Sequence, residues 1–144
     1  MKEIAKYSGC FVCGENNEYG LQVKFFFNDG KATAECTARK QFEGYHDIFH
    51  GGITSTLLDE VMIKALLAQD IYAMTVEMTV KFLKLVKTGE RLYFEGELER
   101  RKGRLIFTRG KACRENGEII ATATGKYLEV NDNLKSDLLK SLEY

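Results

Sequence analysis

One stretch of this chain concentrates the residues able to do chemistry: His50-Gly51-Gly52-Ile53-Thr54-Ser55-Thr56-Leu57-Leu58-Asp59-Glu60. Two glycines at the start of a helix leave its first N–H groups open to an incoming group. The positive end of the helix dipole favours a negative oxygen there. Asp59 follows two turns later among apolar residues, where an unpaired carboxylate is costly. An anion-receiving helix start and a carboxylate held away from water are two parts of an acyl-transfer site. The same residues also fit a glycine loop for close packing, with an aspartate that reaches water at a helix edge.

The element that must carry these groups is a helix running to about Gln69. Ile53, Leu57, Leu58, Val61, Met62, Ile63, Ala65, Leu66 and Leu67 put apolar side chains nearly all the way round it, which predicts burial on most sides. Asp59 shares a face with Gly52, Ser55, Thr56 and Ile63, so no cation on the helix answers it. Glu60 has Lys64 four residues on and reads as an ordinary surface pair.

Period-two patterning surrounds the helix. Leu21 to Phe27 and Lys31 to Thr37 read as a strand pair joined at Asn28-Asp29-Gly30. After the helix, Met74, Val76, Met78, Val80 and Phe82 alternate with Thr75, Glu77, Thr79 and Lys81, giving a dry face and a polar one. Strict alternation puts Thr75 opposite the apolar set, so any role beside the helix requires a bulge or an edge position. Three further strands follow, around Leu92–Glu99, Arg104–Cys113 and Glu118–Val130, with Asn116-Gly117 the strongest hairpin signal. Gly110, Ala112, Ala121, Ala123 and Gly125 clear a trough of small side chains in which a bulky helix can lie. The fold class is α+β: one curved antiparallel sheet wrapped around one long central helix. The chain reads as one domain, 1–144, with an N-terminal Cys-x-x-Cys loop over 1–20. A short C-terminal helix over 131–144 has Asp132 as its cap and Leu134, Leu138, Leu139 and Leu142 on one face. A sheet covers the helix on one side only. Two copies pairing edge to edge would cover the other side, so the expectation is a homodimer with Asp59 at the boundary and shared active sites, or a dimer of such dimers.

Other constellations carry less. Cys10-Phe11-Val12-Cys13-Gly14 invites a metal or redox role, but Cys36 and Cys113 stand isolated and the following Glu15–Gly20 segment is turn-rich, so no metal is expected. His46 and His50 could share a helical face with Asp47 or Asp59, but the run into Gly51-Gly52 argues against continuous helix there. Lys and Arg balance Asp and Glu at 21 each, so no strong field points to nucleic acid or an anionic membrane. No apolar run reaches spanning length, and Met1 to Lys6 lack the apolar segment of a secretory signal. Free thiols and a cytoplasmic location are therefore expected.

The chain resembles the hotdog-fold acyl-CoA thioesterases of the phenylacetate-pathway type, from about Cys10 to Val130. The resemblance rests on His50, Gly51, Gly52, Ile53, Leu58 and Asp59, with the aspartate nine residues after the histidine. Supporting matches are the entry loop Phe42–Phe49, the run Thr75-Val76-Glu77-Met78, Gly89-Glu90, and the Cys10–Leu21 opening. It implies a hotdog fold and hydrolysis of a thioester to a free acid and coenzyme A, with no cofactor beyond the coenzyme A of the substrate. Asp59 would be general base or nucleophile. Gly51 or Gly52 N–H would hold the oxyanion, and His50 would anchor the turn or contact the carbonyl region. Thr75 would help place water, from the other subunit. An oxyanion donor at a helix start contributes about two to four kcal/mol to such a reaction. Phe49, Ile53, Met62 and Met74 are the expected acyl-chain lining, and Lys81, Lys84 and Lys87 are candidates for the phosphates of coenzyme A. A non-catalytic acyl-CoA-binding or regulatory domain on the same fold is the competing reading.

Overall fold

The computed structural model describes residues 1–144. Its main sheet has seven strands: β1 (Lys2–Glu3), β3 (Phe25–Asn28), β4 (Lys31–Thr37), β5 (Ala73–Phe82), β6 (Arg91–Lys102), β7 (Leu105–Arg114) and β8 (Ile119–Glu129). They lie in the order β1-β3-β4-β6-β7-β8-β5, every neighbouring pair antiparallel. The helix α1 (Gly51–Leu67) crosses the concave face. Its inner stripe, Leu57, Leu58, Val61, Met62, Ala65 and Leu66, is fully buried.

Three glycines set how closely helix and sheet approach. A Cβ on Gly96 of β6 would stand 2.6 Å from the Val61 carbonyl oxygen, so helix backbone rests directly on strand backbone there. A Cβ on Gly110 would stand 3.1 Å from Met62 Cγ, and one on Gly125 would stand 2.7 Å from the Tyr127 ring. The trough read from β7 and β8 thus extends into β6. Met62 is seated in it at 0% exposure, so it packs the core and cannot line an acyl pocket as expected.

The alternation in β5 is interrupted. Thr75 pairs with Tyr127 and Glu77 with Lys126, leaving Val76 as the extra residue of a bulge. The bulge turns Thr75 toward the helix and leaves Met74, paired with Leu128, on the outer face. Two of the expected dry set, Met74 and Val76, are accordingly 49% and 58% exposed, whereas Met78 and Val80 beyond the bulge pack against the core and Phe82, 56% exposed, lies beside Gly51. β5 is also the edge of the sheet, so its second row of backbone groups is unpaired.

The termini differ from expectation. Leu21 and Val23 donate their N–H groups to Phe11 and Val12 carbonyls, and Gln22 has φ +53°, so β3 starts only at Phe25. The tail forms a short helix α2 (Asp132–Leu138) capped by Asn131, whose Oδ1 accepts from Leu134 N at 3.0 Å; Asp132 lies in its first turn. Leu142 then joins a strand β9 (Leu142–Glu143) that pairs with β2 (Lys6–Tyr7), tying the two ends of the chain together.

Candidate active site

The entry to α1 is fixed from both sides. His50 N–H donates to the Phe42 carbonyl at 3.0 Å and Phe49 N–H to Val86 at 2.8 Å. Residues 43–50 form a bent loop with Asp47 at φ +59°, so His46 and His50 do not share a helical face. His50 is the N-cap of α1, and its Nδ1 accepts the Gly52 N–H at 2.8 Å. That bond requires Nδ1 to be bare, so the neutral ring carries its proton on Nε2. It also explains Gly52: a Cβ there would stand 2.9 Å from the imidazole. The Gly52 N–H is therefore consumed by the cap rather than open to a ligand, contrary to the expectation for it. The Gly51 N–H has no partner within the chain. It opens on a cleft of about 670 Å³ lined by Phe49, His50, Thr54, Phe82 and Lys84 among others.

Asp59 sits two turns further along, half-buried. Its Oδ1 accepts two hydroxyls, Tyr127 at 2.7 Å and Thr75 at 2.9 Å. Thr75 reaches it within the same chain, through the bulge, and not from another subunit. Burial, the Asp59 charge and its hydrogen bond push the Tyr127 phenol far above its ordinary range, so it stays a donor. Oδ2 has no partner in the chain. The pair of hydroxyls answers the question posed by a carboxylate with no cation on its helix: the charge is held by hydrogen bonds. Tyr127 went unread in the sequence because it is one of many apolar-face residues on β8. Its only signal is the glycine two residues before it, which makes room for the ring.

The other expected contacts scatter. Phe49 and Lys84 line the cleft at the helix start, while Ile53 packs against the core away from it. Met74 lies on the outer sheet face. Lys81 pairs with Thr122 and stands with Lys31, Arg109 and Lys111 on the convex side, so it cannot serve that cleft. Lys87 is exposed at a turn that bridges to Ile48.

Glu60 and Lys64 are not a surface pair. Lys64 is 1% exposed, lies 3.9 Å from Glu60 Oε2, and donates to the Ala5 carbonyl. Burial, with the neighbouring Cys10 charge, pushes the Glu60 carboxyl up to about 7, against the pull of Lys64. The N-terminal loop closes over both.

The sequence profile of the Thioesterase superfamily matches residues 46–121, more than half of the chain, and the chain belongs to that superfamily. Solved structures share its fold. A thioesterase superfamily protein superposes with a TM-score of 0.80 at 24% identity; the match covers 85% of this chain, which spans only 61% of that protein's length. The PaaI protein of the E. coli phenylacetic acid degradation operon gives 0.72 at 20% identity, over 77% of this chain and 81% of its own. A hypothetical thioesterase of Streptococcus pneumoniae TIGR4, solved with coenzyme A, gives 0.72 at 17%, over 76% and 89%. No curated protein matches the chain. The sheet wrapped on one helix is thus the hotdog fold. No helix of the chain is long and apolar enough to cross a membrane.

Proposed function

We propose that this chain hydrolyses acyl-CoA thioesters, as a cytoplasmic homodimer with two sites at the subunit boundary. The observation that carries the reading is Asp59: a carboxylate pinned through Oδ1 by Tyr127 and Thr75, with Oδ2 free beside an unpaired sheet edge. Oδ2 takes a proton from water as that water attacks the thioester carbonyl, or attacks the carbonyl itself to give a mixed anhydride that water then hydrolyses to the free acid. The Gly51 N–H and the His50 Nε2–H receive the oxyanion. The thiolate of coenzyme A leaves without a strong acid.

One chain cannot supply both halves to one thioester. Gly51 and Asp59 are eight residues apart, which is about 12 Å along a helix. A carbonyl oxygen and the water attacking its carbon are separated by far less. The Asp59 of one copy therefore works with the helix start of the other. The exposed apolar residues Met74, Val76 and Phe82 on and beside the β5 edge fit such a pairing. Lys84 at the cleft offers charge to coenzyme A phosphates. The coenzyme A bound to the S. pneumoniae protein, and the acetyl CoA bound to a Streptococcus mutans protein with a TM-score of 0.71 at 18% identity, agree with this substrate class.

The test is a panel of acyl-CoA esters with a thiol-trapping dye. Free coenzyme A should appear, and Asp59→Asn should abolish its release. Tight acyl-CoA binding by wild type without turnover would instead establish a binding or regulatory domain.

A further inference from the structure

The side of α1 turned toward the N-terminal loop holds a cluster that thioester hydrolysis leaves unused. Cys10 and Cys13 converge there on Glu60, and the three donor atoms all lie within 4.8 Å of one another. The loop is shaped for this. Cys10 Sγ accepts the N–H groups of Val12 at 3.3 Å and Cys13 at 3.4 Å, an arrangement that favours a thiolate. Gly14 N–H closes the turn on the Cys10 carbonyl at 2.8 Å, and a Cβ at Gly14 would run into the Ser8 and Cys10 backbone. Helix α1 brings Glu60 from the opposite side, with its Oε2 3.6 Å from Cys10 Sγ.

We propose that Cys10 Sγ, Cys13 Sγ and a Glu60 carboxylate oxygen bind one divalent cation of the zinc type, with water in the fourth position. In tetrahedral zinc, bonds of about 2.3 Å to sulfur and 2.0 Å to oxygen put those two donors about 3.5 Å apart. The Cys10–Glu60 separation already has that value, and Cys13 must close by at most about an ångström to the corresponding sulfur–sulfur edge. Charge fits as well. Two thiolates, a carboxylate, the divalent ion and the Lys64 ammonium sum to zero, which suits a site whose lysine is 1% exposed. Lys64 points its Nζ to the Ala5 carbonyl and lies between the Tyr7 and Phe25 rings, so it neutralises the cluster without occupying the ion's place. Thiolate donors select zinc over magnesium or calcium. Binding releases the two thiol protons to solvent and clips the N-terminal loop to the helix one residue from Asp59. The site is independent of the thioesterase reading, because its readout is metal content and not turnover.

The experiment uses full-length protein purified under reducing conditions without chelator. Elemental analysis should give one zinc per chain. Cobalt(II) exchanged for zinc should show thiolate charge-transfer and tetrahedral visible bands, lost in Cys10→Ser and Cys13→Ser and weakened in Glu60→Gln. A chelator should lower the melting midpoint by on the order of 5 °C. Because the variants could misfold, thiol alkylation of the wild type provides a second measurement: zinc should protect two of the four cysteines. Reduced wild type that takes up neither zinc nor cobalt overturns the proposal. So does metal retained equally by the cysteine variants, for which half-buried Glu43 and exposed His46 and Asp47 form the other candidate cluster. A Cys10–Cys13 disulfide found in place of metal overturns it too.

Discussion

Replacing Tyr127 by Phe removes one oxygen from a ring that is 0% exposed and whose partner is the proposed base. The phenylalanine ring occupies the same space, which the absence of a side chain at Gly125 provides, so packing is unchanged. What is lost is a 2.7 Å hydrogen bond to Asp59 Oδ1. Hydrogen bonds to charged groups contribute about 1.5–3 kcal/mol, which corresponds to roughly 10- to 150-fold in rate if all of it holds the carboxylate in its working orientation. Thr75 still donates to the same oxygen at 2.9 Å, so the lower end applies. The expected result for Tyr127→Phe is a fall in kcat of about 10-fold with little change in KM, because the tyrosine touches no substrate. The melting midpoint should drop by on the order of 5 °C from the loss of one of the two hydrogen bonds to the carboxylate. Thr75→Ala should act in the same direction. The double variant should lose more than the product of the two, since each single variant leaves the other donor in place. The assay is steady-state release of coenzyme A beside thermal melting. A wild-type kcat in both single variants would refute the reasoning, as would a raised KM with kcat unchanged; the first says the hydroxyls do not hold the working carboxylate, the second that they bind substrate.

Three other outcomes follow from contacts already described. Gly96→Ala should destabilise the fold by about 1–3 kcal/mol or prevent it, because its Cβ would stand 2.6 Å from helix backbone that cannot yield as a side chain could; chemical denaturation measures this. His50→Ala removes the cap on Gly52 N–H and should cost about 1 kcal/mol in stability together with most of the turnover, read by melting and by coenzyme A release. Val76→Glu, at the exposed bulge of the edge strand, should convert the proposed dimer to monomer and abolish activity while leaving far-ultraviolet circular dichroism unchanged; sedimentation and the activity assay report it.

The sheet and helix were readable because period and turn chemistry are local. β4 was read at its observed bounds, Lys31–Thr37, from simple alternation, and Asn116-Gly117 gives the β7–β8 hairpin, with Gly117 at φ +89°. What local patterning cannot convey is which register a strand adopts past a bulge. The one extra residue at Val76 turns Thr75 inward, the condition its expected place required, and Met74 outward, away from its expected place. The same limit hid the partners of the charged helix residues. Asp59 and Glu60 are adjacent and look alike in sequence. What separates them is set by residues outside the helix: Tyr127 and Thr75 for Asp59, and Cys10 for Glu60, with Ala5 binding the Lys64 beside it. Gly52 reads as open for a ligand, whereas His50, two residues earlier, takes its N–H, a side-chain choice that residue types do not fix.

The spacing along α1 also yields a test of how the two halves are shared. If the Asp59 of one copy works with the Gly51 and His50 of the other, an Asp59→Asn chain and a His50→Ala chain are each inactive as homodimers but differ in what they lack. A two-fold heterodimer of the two holds one site with both defects and one site with neither. Random reassembly of an equal mixture makes half of the dimers mixed, and each of those has one intact site of two, so about a quarter of wild-type activity should return. If instead a single chain completed its own site, every site in the mixture would carry one defect and nothing would return. Denaturing and refolding the two variants together, against each refolded alone, separates these outcomes. The roughly 12 Å of helix rise between Gly51 and Asp59 favours the first, since a single thioester and its attacking water cannot span it within one chain.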